Sequence, residues 1–165
     1  VFDACKTWPF PDNSIGIIIG KQMFEHLHEP LDFFKEAWRV LVPGAHLELT
    51  VPYGMSIEAI ADPTHLKSWV PSSFCFLQPG WDEECQNPQH DTWKANFAVE
   101  ACYRQVNINL RWMMKKPFRR IGIRILPFLY NAYTGLLVGM AAIKDENTAK
   151  AWRANHMPQQ IVTTD

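Results

Sequence analysis

Apolar residues in the first third of the chain follow two different spacings. The run Ile15–Gly20 is short, rich in isoleucine and apolar throughout, which is typical of a central strand buried on both faces of a parallel sheet with helices on each side. After Pro30 the apolar positions recur at helical spacing as far as a stop at Pro43-Gly44. A second apolar run, His46–Val51, follows. The pattern predicts a strand, a helix of about three turns and a parallel strand in a right-handed crossover.

The rest of the chain is less regular. Residues 53–96 are rich in Pro, Trp, Gly, Asp and Gln, which predicts an irregular insertion with short helical turns. Residues 97–112 alternate apolar and polar positions, the spacing of a late strand with one wet face. The apolar stretch 121–143 is interrupted by Arg124, Pro127 and Asn131, so we expect a short helix and a terminal strand, Leu136–Ile143, rather than a membrane span. The tail is predicted to be helical from Asp145.

Composition adds that the chain is an ordinary globular one. It has 165 residues, 47% hydrophobic and 20% charged, which is enough for one core, and we treat residues 1–165 as a single domain. The four cysteines lie far apart and form no C-x-x-C pair, which favours reduced thiols in a cytoplasmic protein.

Charge is balanced overall but not locally. The net charge is -1, whereas the segment from Ala101 to Lys144 holds eight basic residues and no acid. A basic segment at 104–124 with interleaved Trp112 and Phe118 could meet the phosphates of nucleic acid or of an anionic lipid. The alternative is intramolecular: the acidic remainder of the chain, or a second subunit, neutralises it.

Three histidines are candidates for metal binding or for general acid–base catalysis. Glu25-His26 followed by His28 suggests a metal or a general base, but residues at i and i+2 point apart on a helix, so we predict no metal site. His65, in Asp62-Pro63-Thr64-His65, is a catalytic candidate that would orient or deprotonate an acceptor. The alternative is a turn in which Asp62 caps the backbone.

Aromatic residues in the insertion also leave two interpretations open. They either wall an apolar acceptor pocket or pack in the core, and we favour core packing. The residues concerned are Trp69, Phe74, Phe76, Trp81 and Trp93.

Several short motifs follow one another in a specific order. They are Asp3-Ala4, the loop Trp8-Pro9-Phe10-Pro11-Asp12-Asn13-Ser14, the Ile15–Gly20 run, Phe24-Glu25-His26-Leu27 and Arg39-Val40-Leu41-Val42-Pro43-Gly44-Ala45. This order resembles the later part of class I S-adenosylmethionine-dependent methyltransferases of the small-molecule type. The Asp62-Pro63-Thr64-His65 segment and the closing Ala142-Ile143-Lys144 resemble a subset of that family.

The resemblance implies a cofactor half-site. Asp3 would accept a hydrogen bond from the adenine amino group, and the backbone N–H of Ala4 would meet a ring nitrogen. Gly20, Lys21 and Gln22 fall where the ligand crevice of an open α/β sheet lies. The family's glycine-rich turn and its ribose-binding acid are missing, because the chain starts after them. Gly16 and Ala45 depart from the family pattern.

The implied architecture is a partial Rossmann-like α/β sheet of the later strands, parallel apart from a terminal antiparallel strand. The complete protein would transfer a methyl group from S-adenosylmethionine to a small-molecule or lipid-like acceptor. We expect this truncated chain to be inactive. Its affinity for the cofactor should be at best about millimolar unless a second chain completes the pocket. A homo-oligomer would then cover the exposed sheet edge. The alternative is a non-catalytic module that binds nucleic acid or a membrane through residues 104–124.

Overall fold

The computed structural model describes residues 1–79, 95–126 and 131–155, and these residues form a four-stranded mixed sheet. The strands are β1 (Ile15–Lys21), β2 (Leu41–Pro52), β3 (Asn96–Val106) and β4 (Tyr133–Ile143), in the spatial order β1-β2-β4-β3. β1 and β2 are parallel, and β4 is antiparallel to both of its neighbours. The predicted α/β sheet with a terminal antiparallel strand is confirmed.

Helices connect and flank these strands. They are α1 (Pro30–Val40), α2 (Ile57–Ala61), α3 (Arg119–Ile125) and α4 (Glu146–Asn155), with 3-10 turns at Phe24–His26, Pro71–Leu77 and Ile108–Met114. α1 lies between parallel strands, as predicted. It ends at Val40, and the Pro43-Gly44 pair falls within the first residues of β2, where Gly44 takes a φ of +75°.

β1 lies at the edge of the sheet, so the prediction of a central strand is wrong for the described residues. Only β2 pairs with β1 among them. Ile17 and Ile19, whose side chains share one face of β1, are 51% and 54% exposed because that face is uncovered among the described residues. A run of isoleucines predicts a strand with two covered faces, but the covering must come from elements outside the run itself.

One face of the sheet is closed by α1 and by aromatic side chains. Alternate residues of β2, among them Leu47 and Leu49, are fully buried on this face. Phe24 packs edge-on against Phe34 and at a tilt against Trp69, at centroid distances of 4.9 and 4.5 Å. Trp69 and Phe74 therefore belong to the core, as favoured above, and Phe76 packs against it. Trp81 and Trp93 lie outside the described residues.

The opposite face is largely open among the described residues. His46 and Glu48 alternate with the buried residues of β2 and are exposed. With Leu137 they line a shallow groove of about 340 Å³. α4 covers one end only, where Ala149 packs with Ala98, Ala141 and Ile143. Helices were expected on both faces of the sheet. Among the described residues, one face is covered and α4 covers only part of the other.

The insertion is irregular with short helical turns in its described part, as predicted. The late strand is shorter than the alternating pattern suggested: β3 ends at Val106, and a 3-10 turn replaces the expected strand through Trp112. The Asn107 side chain accepts a hydrogen bond from the N–H of Asn109 at 3.0 Å, and this local bond favours the turn over a sheet ladder.

The apolar stretch 121–143 divides between α3 and β4, as predicted. Within the described ranges, no helix has the length and apolar character needed to cross a bilayer. The described cysteines Cys5, Cys75 and Cys102 form no disulfide, and Cys85 lies outside those ranges.

Candidate functional site

The Gly20–Gln22 turn, formed by the last two residues of β1 and the bend at Gln22, lies beside the carboxyl end of β2 and holds three of the predicted cofactor residues. Gln22 takes a positive φ of 48°, and its N–H donates to the carbonyl of Thr50 at 2.8 Å. A Cβ atom on Gly20 would lie 2.9 Å from Leu49 Cδ2, so a larger residue there would displace the Leu49 side chain. Lys21 is exposed at the end of β1. The turn therefore presents its backbone and the Lys21 side chain beyond the sheet, where α/β proteins bind ligands.

Asp3 and Ala4 form a second group near the start of the chain. Asp3 Oδ1 accepts from the N–H of Cys5 at 2.9 Å, and Oδ2 lies 3.6 Å from Lys6 Nζ. The Asp3 side chain is still 52% exposed, and each carboxylate oxygen can accept a further bond. The Ala4 carbonyl accepts from Trp8 Nε1 at 3.0 Å. The Asp3 carboxylate thus keeps accepting capacity, and its role toward an adenine edge stays a prediction.

One groove lies near part of the set of cofactor candidates. A groove of about 580 Å³ lies beside the first group, between residues 5–7 and the face of α1 that carries Asp32, Lys35 and Glu36. Gly20, Lys21 and Gln22 do not line it.

Arg39 explains why the loop motif and the helix-end motif occur together. Its guanidinium donates five hydrogen bonds: to the carbonyls of Trp8 and Phe10, to Asp12 and twice to Glu36. The bond from Arg39 lowers the pKa of Glu36 against the opposing effect of burial, and the same partners raise the pKa of Arg39. The loop between the Asp3-Ala4 group and β1 is therefore fastened to the last turns of α1.

His65 lies in a hydrogen-bonded turn, as the capping alternative described. Asp62 Oδ1 accepts from both the N–H and the hydroxyl of Thr64, at 2.8 and 2.6 Å. These bonds hold the pKa of Asp62 below its usual value. His65 Nδ1 is 3.0 Å from the Ala59 carbonyl, and its Nε2 is 3.7 Å from Asp62 Oδ2. The structure therefore contains the turn, and it also places the His65 ring beside other polar groups.

The structure also brings His65 to residues that the sequence analysis had paired differently. The N–H of Leu66 donates to the Glu25 carbonyl at 2.9 Å, and the rings of His26 and His65 lie 4.9 Å apart. His26, not His28, is therefore the neighbour of the second histidine. About forty residues separate His26 from His65, so their spacing in the sequence did not predict this contact. The only hint was that each histidine lies in a short polar motif.

The eight basic residues between Ala101 and Lys144 divide into two that pack on aromatic rings and six that are exposed. Arg104 lies 4.7 Å from the Tyr133 ring, and Lys144 lies 4.0 Å from the Trp38 ring. The others are exposed: Arg111, Lys115, Lys116, Arg119, Arg120 and Arg124. None of these six forms an ion pair with an acid of residues 1–79, 95–126 or 131–155. Intramolecular neutralisation is therefore not seen in this part of the chain.

Comparisons with known proteins agree with the motif order. A model of the methyltransferase domain family matches residues 1–49. Among curated protein sequences, none matches the chain.

Three solved structures resemble the chain over 86–87% of its length. The [4+2]-cyclase SpnF has a TM-score of 0.52 at 13% identity, with 55% of its length covered. YcgJ of Bacillus subtilis has 0.50 at 13%, with 69% covered. The "putative sarcosine dimethylglycine methyltransferase" of Galdieria sulphuraria has 0.51 at 16%, with 58% covered. The chain has the class I methyltransferase fold, and it spans little more than half the length of the first of these proteins.

Proposed function

We propose that this chain is part of a cytoplasmic S-adenosylmethionine-dependent methyltransferase that acts on a small-molecule or lipid-like acceptor. The observation that carries the proposal is the β1–α1–β2 unit, in which the Gly20–Gln22 turn at the end of β1 is bonded to β2 and lies within the region matched by the methyltransferase model. In such a reaction the cofactor supplies a methyl group bonded to a positively charged sulfur. The residues of this chain would contribute binding and orientation.

Asp3 and Ala4 would hold the adenine edge of the cofactor. The exposed Asp3 carboxylate would accept from the exocyclic amino group, while the backbone N–H of Ala4 would donate to a ring nitrogen. Gly20, Lys21 and Gln22 would lie along the rest of the ligand in the crevice. Each hydrogen bond of this kind contributes on the order of 1 kcal/mol, so the half-site alone predicts weak binding.

Titration calorimetry with S-adenosylhomocysteine tests this assignment, with the molar mass measured by light scattering on the same sample. Asp3→Asn removes the acceptor charge and should weaken binding about tenfold. Glu48→Gln, an equally conservative change on the open face of β2, is the matched control and should leave binding unchanged. Absence of binding at ligand concentrations well above the predicted millimolar range, or equal affinity of the two variants, would contradict the role of Asp3.

His65 would orient or deprotonate the acceptor. Its Nδ1 lies against a backbone carbonyl, which directs Nε2 toward the other polar groups of the turn. In the complete protein, His65→Ala should lower the rate of methyl transfer and leave the affinity for S-adenosylhomocysteine unchanged. A parallel loss of cofactor affinity would show that His65 serves binding instead.

A second copy of the chain would cover the open edge of the sheet. β1 offers unpaired backbone groups along that edge, beside the exposed side chains of Ile17 and Ile19. A two-fold axis beside β1 would place it antiparallel to its copy and continue the sheet. Ile19→Lys should shift a dimer to monomer in light scattering. Leu31→Lys, a change at an exposed apolar position on α1, should not. A monomeric wild-type chain would refute the proposal.

One observation favours a second function at the basic segment. Large apolar side chains are exposed among the six exposed basic residues: Trp112 at 53%, Phe118 at 48%, Ile121 at 54% and Ile125 at 42%. Basic residues mixed with exposed aromatic and aliphatic ones are typical of a surface that lies in the interface of an anionic membrane. This mixture favours a lipid surface over nucleic acid, which does not require aliphatic contacts.

Vesicle sedimentation tests the membrane surface. The chain should bind vesicles of phosphatidylcholine with a third phosphatidylserine, and not phosphatidylcholine alone. Trp112→Ala and Lys116→Glu should each weaken binding several-fold, whereas Lys35→Glu on α1 should weaken it much less. Binding to duplex DNA or RNA without binding to these vesicles would refute the lipid assignment and favour nucleic acid.

A further inference from the structure

Three potential metal ligands from two separate segments meet beyond the carboxyl end of β1. One ligand atom each of Glu25, His26 and His65 lies within 4.8 Å of the other two. Ligands of a four-coordinate zinc ion lie roughly 3.5 Å apart, so modest side-chain rotations would bring these atoms around one ion. The backbone bond from Leu66 N–H to the Glu25 carbonyl already joins the two segments.

The carboxylate of Glu25 provides independent support. Glu25 is only 2% exposed, and its Oε2 has no hydrogen-bond partner among the described residues. A buried carboxylate oxygen without a partner carries the full cost of its lost hydration. A bound cation would offset that cost.

Hydrogen bonds on the two imidazole rings determine which nitrogen carries the proton. The single proton of the Thr64 hydroxyl is donated to Asp62 at 2.6 Å, so this hydroxyl can only accept from His26 Nδ1, 3.2 Å away. The Thr64 carbonyl at 3.2 Å is a second acceptor for the same nitrogen. His26 Nδ1 is therefore protonated, and the neutral ring keeps a lone pair on Nε2.

His65 is oriented in the same way. Its Nδ1 faces the Ala59 carbonyl at 3.0 Å, and a carbonyl can only accept. Backbone carbonyls that bind the second nitrogen of a histidine are the usual outer contacts of metal-ligating imidazoles. Asp62 Oδ2, 3.7 Å from His65 Nε2, adds negative charge beside the cluster.

We propose that Glu25, His26 and His65 bind a divalent transition-metal ion, for which Zn²⁺ is the probe. Two imidazoles and one carboxylate are a ligand set used by catalytic zinc sites, which leave a further position for water or for an oxygen of a bound molecule. The proposal does not depend on methyl transfer. It replaces the expectation of no metal, which considered His26 with His28 and not with His65.

Zinc titration calorimetry on tag-free protein, freed of metal by a chelator, tests the site without any cofactor. The wild-type chain should bind one Zn²⁺ per chain, and Co²⁺ should give the visible absorption of a low-symmetry site. His26→Ala and His65→Ala should each weaken Zn²⁺ binding on the order of 100-fold. His28→Ala is the matched control, since it removes an exposed histidine two residues from His26, and it should bind as the wild type does.

Two further measurements keep the outcome decisive. Circular dichroism of each variant shows whether it is folded, and His26→Ala removes an exposed side chain that the core does not need. Thr64→Val, which removes a contact to His26 Nδ1 without removing a ligand, should weaken binding by about 10-fold. Zinc affinity that is equal in the wild type and folded His26→Ala, or no stoichiometric binding at millimolar Zn²⁺, would overturn the proposal.

Discussion

The two faces of the sheet contrast sharply although the same strands build both. Leu49 on β2 is fully buried against the aromatic cluster, whereas Leu137, at the adjacent position of β4 on the other face, is 37% exposed. The closed face has its covering helix within the chain, since α1 connects β1 to β2. The open face has only α4 at one end among the described residues. The alternation of apolar and polar residues along a strand therefore indicates which residues share a face, but it does not indicate whether that face is covered.

The largest expected effect is at the closed face. Leu49→Ala should lower the free energy of unfolding by about 2–5 kcal/mol, because it leaves a cavity beneath α1 and beside Gly20. Leu137→Ala makes the same chemical change on the open face and should cost under about 1 kcal/mol. Urea unfolding of both variants measures the difference, and equal losses would show that the open face is covered in solution.

A smaller effect is expected at the loop that Arg39 fastens to α1. Arg39→Ala removes five hydrogen bonds, two of them to the carboxylate of Glu36, and should cost about 2–3 kcal/mol. Lys35→Ala, on the same helix, breaks an exposed pair with Asp32 and should cost under about 0.5 kcal/mol. Thermal unfolding compares them. Similar losses for the two variants would mean that solvent screens the Arg39 network.

The same network predicts a pH dependence. The pKa of Glu36 is lowered in the folded state by the hydrogen bond from Arg39, so the folded chain holds its carboxylate form more tightly than the unfolded chain does. This stabilisation is complete above the unfolded pKa near 4.5 and is lost as pH falls through the lower folded value. Glu36→Gln should be less stable than the wild type at neutral pH, and the difference should vanish in acid. A difference that persists at low pH would contradict the coupling.

The smallest effect is a difference in reactivity rather than in stability. Cys102 is buried in the closed core, and burial raises the pKa of its thiol to about 11. Iodoacetamide at neutral pH should therefore label the partly exposed Cys5 and leave Cys102 unmodified, since the thiolate is the reactive form. Mass spectrometry of the labelled, native chain identifies the sites. Rapid labelling of Cys102 would indicate that β3 opens readily.

Local patterns predicted much of the fold because local physics decides it. Pro30 at the first turn and apolar residues at helical spacing determine α1. Predictions failed where a neighbouring group decides the outcome. The alternating residues after Val106 enter a 3-10 turn because the Asn107 side chain caps it, and the isoleucines of β1 lie at an edge because only β2 pairs with them in the described chain.

The candidate sites show the same division. The motif order pointed to Asp3, Ala4 and the Gly20–Gln22 turn, and these remain proposals for the cofactor. The exposure of the basic segment could not be read from its composition, because Arg104 and Lys144 share its charge yet pack on aromatic rings.

By itself, the sequence determined the order of strands and helices and the family likeness, since residue spacing and turn chemistry act over a few residues. Only the tertiary structure decided that His65 faces His26, that Glu25 is buried beside them and that one sheet face is largely open among the described residues. These are contacts between segments far apart in the chain. Spacing along the chain carries no information about them until the strands have paired.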